Sequence, residues 1–409
     1  MAQGPPDAGA YVVDVADGRV VFDDRSQRQL FSASVMKLYT TSTALMRLGT
    51  EARLSTRVLG TGRRAGTTWR GDLYLRGGGD FTFGSASFGR RAYGSGGTVE
   101  ALAAGLRRSG IRQIRGSVLG DGSLFSDNGG PDFDLVLCPN PLFGPGCPYG
   151  PAGALERPIP NGPRGPVSFN RGLVNGRSAK AQRDPARFAA AELIRTLRRR
   201  GIRVTGRAGA RRTPRRARTL AGTRSSQVAQ LVKLINRPSD NYAAETLFRV
   251  LGARLAGAGS RAGGARAVAR EIRGRFGLRP RVHTGSGETL FDRTSPREVV
   301  GLLTAMRRRP EGASFERSLS VAGRSGTLLR YRGTVAEERC KMKDGTRTGE
   351  PPNTTLNQVG YCRSVGGRTF AFAIMMNGIP VEFVPPDQIV SPAYALEDRM
   401  VEVLAGYGG

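Results

Sequence analysis

Both ends of this chain read as strands of one sheet, and most of what lies between reads as helix. Near the start, Tyr11-Val12-Val13-Asp14-Val15 and Arg19-Val20-Val21-Phe22 flank Ala16-Asp17-Gly18, the pattern of a β-hairpin with an Asp-Gly turn. Near the far end, residues 368–376 form an apolar strand and residues 394–404 a closing helix. Helical periodicity marks 34–48, 227–235, 242–255, 265–276 and 296–307. Strands at both termini with helices between them predict an α+β fold, an antiparallel sheet built from both chain ends and flanked by helices. The texture changes from about Ala52 to Arg218. There, strand candidates at 71–75 and 116–119 alternate with Gly- and Pro-rich connections, and one helix is expected at 188–199. We therefore expect residues 1–55 and 217–409 to form one domain. Residues 56–216 are expected to be a large strand-rich insertion of one or two small units. The length of 409 residues fits this division.

Composition narrows the function. No stretch approaches the ~20 consecutive apolar residues that cross a bilayer, so no transmembrane segment is expected. The 63 Lys and Arg against 33 Asp and Glu leave a net charge of +30. The arginines are scattered, with short runs only at 198–200, 211–218 and 307–309, and no aromatic residues interleave with them. That pattern describes a solvated basic surface better than a nucleic-acid footprint, so no nucleic-acid partner is expected. An anionic polymer of the cell wall would still be attracted to it.

Only Lys37, Lys180, Lys233, Lys341 and Lys343 are lysines. Arginine stays protonated, whereas a lysine can be driven toward its neutral form and serve as a base. The four cysteines, Cys138, Cys147, Cys340 and Cys362, lack the CxxC spacing of metal sites, and the single histidine, His283, lies far from them in sequence. No metal and no cofactor is expected. Two local disulfides, Cys138–Cys147 and Cys340–Cys362, are expected instead, which points to an exported, extracellular or periplasmic protein. Residues 1–6 show no apolar signal core.

Three short motifs carry chemistry. In Ser34-Val35-Met36-Lys37, a helix starting at Ser34 sets i and i+3 on one face, so the lysine can take the proton of the serine hydroxyl. In Ser239-Asp240-Asn241, a turn before a helix presents a hydroxyl and a carboxamide together. In Lys343-Asp344-Gly345-Thr346, on a strand starting near Arg339, the glycine opens the edge to a substrate while the ammonium faces an anionic end group. Taken singly, the first two are what helix caps look like and the third is an edge-strand lysine. Together and in order, they correspond to the S-x-x-K, S-D-N and K-T-G set of penicillin-interacting serine enzymes, the third with one residue changed.

The long stretch from Ser34 to Ser239 separates the chain from the β-lactamases, whose first two motifs lie closer together. It resembles instead the D-alanyl-D-alanine carboxypeptidase/endopeptidase family, the low-molecular-mass class C penicillin-binding proteins, which carry large insertions between those motifs. The likeness runs through residues 11–37, 71–80, 120–125, the Ser239 turn, Gly285-Ser286-Gly287 and 326–377. It implies a β-lactamase/transpeptidase-like domain and a serine DD-peptidase that acts on peptidoglycan stem peptides through an acyl-enzyme and is acylated by β-lactams. The alternative is a catalytically weak relative retained as a cell-wall-binding protein.

By the same resemblance, Ser34 is the nucleophile and Lys37 its base. Ser239 passes a proton to the leaving amine, Asn241 holds the substrate amide, and Lys343 meets the terminal carboxylate. The backbone N–H groups of Ser34 and Thr346 form the oxyanion hole, with Gly345 and Thr346 lining the substrate. Asp121 is the best match to an aspartate that contacts the free amino end of the peptide stem, with Asp127 in reserve. Two positions depart from the family. Asp344 stands where a threonine is expected and should repel an anionic end group. Thr284 replaces the usual aspartate before Gly285-Ser286-Gly287. A register placing Arg347-Thr348-Gly349 as the third motif is less favoured, because 334–343 keeps the family's spacing and 347–353 then reads as a short insertion.

Overall fold

Strand Thr369–Asn377 is buried almost throughout, because both of its faces are covered. In this computed structural model, which describes residues 7–127, 162–174, 180–347, 355–379, 382–384, 388–390 and 392–408, it lies inside a six-stranded sheet. The order is Ser320–Val321, Cys340–Asp344, Thr355–Arg363, Thr369–Asn377, Asp7–Asp14, Val20–Asp24, with every neighbouring pair antiparallel. Asp7 pairs with Asn377 and Asp14 with Phe370, so the two chain ends are joined in the sheet as expected. Alternation does the sorting. Val359, Tyr361, Ala371, Ala373 and Met375 face helices Met36–Leu48, Val228–Asn236, Asn241–Leu255 and Pro296–Arg307. Leu356, Phe370, Phe372 and Ile374 face Leu328, Tyr331 and the last helix, Pro392–Gly406, through Val401 and Ala405.

Local signals set the helix ends. Ser295 and Glu298 cap Pro296–Arg307 reciprocally, with Pro296 at its first position. Gly49, at φ 89°, ends Met36–Leu48. Cys340 and Cys362 sit opposite each other on paired strands and form the expected disulfide. Cys138 and Cys147 lie outside the described residues, as do Thr348 and Gly349 of the alternative third motif.

The middle of the chain has a core of its own, formed by residues between Val58 and Ala221. Its larger sheet has the order Ala208–Ala210, Val118–Asp121, Leu73–Arg76, Arg53–Gly60, Arg218–Gln227. The first three strands of that order are mutually parallel. Parallel neighbours need crossover connections, which helices Val99–Arg108 and Pro185–Arg199 supply. The unit thus combines its strands with crossover helices, and its larger sheet takes in strands from Arg53 to Gln227. Helix Val99–Arg108, capped by Thr98, was not expected; it is short and follows the Gly-rich stretch around Gly94, Gly96 and Gly97.

Candidate active site

Ser34 does not open the long helix. It occupies a one-turn 3-10 segment, Ala33–Val35, from which helix Met36–Leu48 continues. Three contacts hold that turn. The Ser32 N–H donates to the Asp292 carbonyl (3.0 Å), and Asn357 Nδ2 donates to the carbonyls of Phe31 (3.2 Å) and Ser32 (3.0 Å). Ala33 takes φ 42°, a left-handed conformation that a non-glycine residue adopts only when its surroundings impose it. Lys37 is fully buried, with Nζ 2.7 Å from Ser34 Oγ and donating to the Ser286 carbonyl at 2.9 Å. Burial first, and the nearby Lys343 ammonium second, bring its pKa down to about 7, against the opposing pull of Glu288, Asp240 and Asp344.

The Ser286 carbonyl is itself positioned. Glu245, on helix Asn241–Leu255 and wholly buried, accepts from Gly285 N (2.6 Å), Ser286 N (3.1 Å) and Ser286 Oγ (3.0 Å). Arg249, one turn on, pairs with its other oxygen at 3.0 Å. Burial pushes this carboxyl up, but the guanidiniums of Arg249, Arg164 and Arg261 and the Ser286 hydroxyl hold it below the usual range. Gly287, at φ 85°, brings the loop onto the nucleophile turn; a Cβ there would overlap the Ala33 carbonyl oxygen. Thr284 satisfies the loop without the aspartate that the family resemblance calls for. Its hydroxyl donates to Asp292 Oδ2 (2.6 Å) and accepts from Gly287 N (2.9 Å) and Glu288 N (3.2 Å).

The third motif closes the other side. At Gly345, a Cβ would sit 2.8 Å from the Ser32 carbonyl oxygen and 2.9 Å from Val35 Cγ2, so the end of strand Cys340–Asp344 lies against the nucleophile turn. The Gly345 N–H continues the ladder to the Asn357 carbonyl (2.8 Å), and Thr346 follows half-buried. Lys343 is fully buried and donates to the Asp344 carbonyl (2.7 Å) and to Asp344 Oδ1 (2.9 Å). The same Oδ1 accepts from Thr327 Oγ1 at 2.5 Å. Burial would raise the Asp344 carboxyl, yet Lys343 and Thr327 hold it down at about 2.

The second motif forms the remaining corner. Ser239 sits in the left-handed region (φ 58°), and Asp240 caps helix Asn241–Leu255 by accepting from Ala243 N (2.9 Å). Ser239 and Asn241 are half-buried beside it. From the inserted unit, Arg171 grips the same Asp240 through two contacts, Nη1 to Oδ2 (2.5 Å) and Nη2 to Oδ1 (3.0 Å). Arg171 also donates to Tyr93 Oη (2.7 Å) and lies over the Tyr242 ring at 4.5 Å. Burial alone would lower the guanidinium, but Asp240 and Tyr93 raise it further above its ordinary value. Arg171 therefore ties the insertion to the Ser239 corner. In Arg171→Lys the charge stays but the fork is lost, and acylation by a penicillin is expected to slow about tenfold. A rate equal to that of the parent would remove the positioning role.

The structure sets Lys37 beside Ser34, within electrostatic reach of Lys343 and Asp240, and packs Gly345 against the nucleophile turn. Both acidic candidates of the insertion are engaged by other groups. Asp121 is buried and spends both oxygens on its own surroundings, accepting from Ser123 N and Thr213 N at 2.9 Å each. Asp127 accepts from Arg249 Nε and from Arg261 N, both at 2.9 Å. Among the described residues, no group of three or more His, Cys, Asp or Glu could hold a metal ion. Glu245, Ser286, Thr327 and Arg171 were not singled out from the sequence. Their roles depend on partners far along the chain, and only the Gly285-Ser286-Gly287 and Thr327 segments gave any hint.

The sequence pattern of the D-Ala-D-Ala carboxypeptidase 3 (S13) family matches residues 3–138 and 173–399. The chain belongs to that family. As an S13 enzyme it is a serine-type D-Ala-D-Ala carboxypeptidase, and nothing in the likenesses supports a merely wall-binding relative. It is 28% identical to a D-alanyl-D-alanine carboxypeptidase of Actinomadura sp. (strain R39) over 98% of this chain and 82% of that one. With the carboxypeptidase DacB of Mycolicibacterium smegmatis it shares 27% identity over 91% of this chain and 77% of that one. The S13 fold is also shared with a solved structure, penicillin binding protein 4 (dacB) from Haemophilus influenzae. That likeness has a TM-score of 0.76 at 19% identity and covers 99% of this chain and 97% of that one. The family is one of cell-wall peptidases, and among the described residues no helix is long and apolar enough to cross a membrane.

Proposed function

We propose that this carboxypeptidase cleaves D-alanyl-D-alanine ends of peptidoglycan stem peptides through an acyl-enzyme on Ser34. Lys37, neutral in an appreciable fraction near pH 7, accepts the hydroxyl proton as Ser34 Oγ bonds to the penultimate carbonyl carbon. The developing oxyanion is met by the N–H groups of Ser34 and Thr346. As the C–N bond breaks, Ser239 relays the proton to the departing amine, and Asn241 holds the peptide backbone. Water then hydrolyses the ester and frees Ser34. Lys343 faces the leaving side. Asp121, or Asp127 in reserve, is the group proposed from the family resemblance to meet the amino end of the stem, although both carboxylates are engaged in the structure. The Cys340–Cys362 disulfide supports an exported, cell-envelope location.

The observation that carries this reading is the buried ammonium at 2.7 Å from a serine hydroxyl, held against a carbonyl whose place is fixed by Glu245. Incubation with benzylpenicillin followed by intact-mass and peptide mapping is expected to show one covalent adduct, on Ser34. An adduct elsewhere, or none while a family member treated in parallel is labelled, would refute it.

A further inference from the structure

We infer that Asp344 turns this site toward D-alanyl bonds whose leaving residue carries no carboxylate beside the departing amine, as in an amidated terminus or an amine-linked cross-link. The inference rests on the reading above, in which Lys343 meets the leaving side of the substrate. The chemistry lies in the pairing of charges around the cleft. Two of the three donors of the Lys343 ammonium are taken by its own neighbour, the Asp344 carbonyl and Oδ1. Thr327 holds that same oxygen at 2.5 Å, so the carboxylate is fixed beside the ammonium. The Lys343 ammonium and the Thr327 hydroxyl also hold the Asp344 carboxyl down, at about 2.

Neighbouring charged groups are engaged as well, though not all by an opposite charge. Asp240 is gripped by Arg171. Arg347, stacked over Phe31, donates to the carbonyl of Glu288, whose own carboxylate bears on Lys37. Lys37 itself acts as a base in its neutral form. A substrate carboxylate entering here would leave water for a Lys343–Asp344 pair that is neutral as a whole. A carboxamide or a substituted amide meets the same pair as an ordinary hydrogen-bonding partner and bears no such desolvation cost.

The test uses one acyl-D-alanyl-D-alanine peptide and its C-terminal carboxamide, with kcat/KM measured for both on the full chain. The parent enzyme is expected to cleave the carboxamide at least as efficiently as the acid. In Asp344→Asn, which keeps the shape and an acceptor for Thr327, and in Asp344→Thr, the ratio should move toward the acid by about tenfold, because one unit charge has left the side of the ammonium. A parent enzyme that prefers the acid tenfold or more, or a ratio unmoved in both variants, overturns the inference. Benzylpenicillin labelling of the same preparations separates the two readings. Absent label on Ser34 defeats the catalytic assignment itself, whereas normal label with an unmoved ratio defeats only the role of Asp344.

Discussion

Replacing Lys37 by methionine is expected to slow acylation of Ser34 by about 10²–10⁴-fold, the range that a positioned general base contributes. Methionine fills nearly the same buried slot but cannot accept a proton, so the loss falls on the chemistry more than on the packing. The pH dependence gives the sharper test. Burial and the Lys343 charge lower the Lys37 pKa to about 7. Below that value the amine is protonated and idle; above it the amine is free to take the Ser34 proton. The second-order rate of acylation should therefore rise through about pH 7 and then level, and this limb should vanish in the variant. A parent profile flat from pH 6 to 8 would remove Lys37 as the base.

Glu245→Gln should destabilise the fold by about 3–5 kcal/mol, the cost of breaking a buried ion pair from one side. Arg249 is almost inaccessible to water and would lose its charged partner at 3.0 Å, keeping the half-exposed Asp127 and the main-chain carbonyl of residue 245. The Ser286 carbonyl that receives Lys37 would lose the anchor of its loop as well. Chemical denaturation measures the first effect, and acylation at a temperature where the variant remains folded measures the second. A loss under about 1 kcal/mol would show the network to be dispensable. The sign with pH is also fixed. The folded carboxyl is depressed, so its stabilisation is complete above the ordinary glutamate pKa of about 4.3 and erodes only as the solution falls through the lower, folded value.

What the sequence displayed was governed by local rules. Helix Pro296–Arg307 could be read to the residue, because Ser295, Pro296 and Glu298 announce its start. Strand Thr369–Asn377 showed as an unbroken apolar run, as a strand covered on both faces must. The first motif announced the pairing of Ser34 with Lys37, which the fold brings to 2.7 Å. What stayed hidden was set by distant partners. Glu245 looks like any polar residue of a helix until Gly285 and Ser286 fold onto it, and Arg171 is one of many arginines until Asp240 meets it. The hold of Thr327 and of the Lys343 ammonium on Asp344 was equally hidden, because both contacts depend on the folded backbone. The parallel pairing in the insertion was likewise concealed, since short strands do not reveal their direction.

The insertion leaves and rejoins the catalytic domain through two strands that lie side by side, Arg53 opposite Gln227 and Gly60 opposite Arg218. A module entered and left by one doorway can lengthen, shorten or be remodelled over evolutionary time without shifting the framework it hangs from. Arg171 limits that freedom, because the module also sends one cation back to the Ser239 corner. Lineages of this enzyme can therefore redecorate the appendage, yet one that discarded it outright would have to find another counter-charge for Asp240.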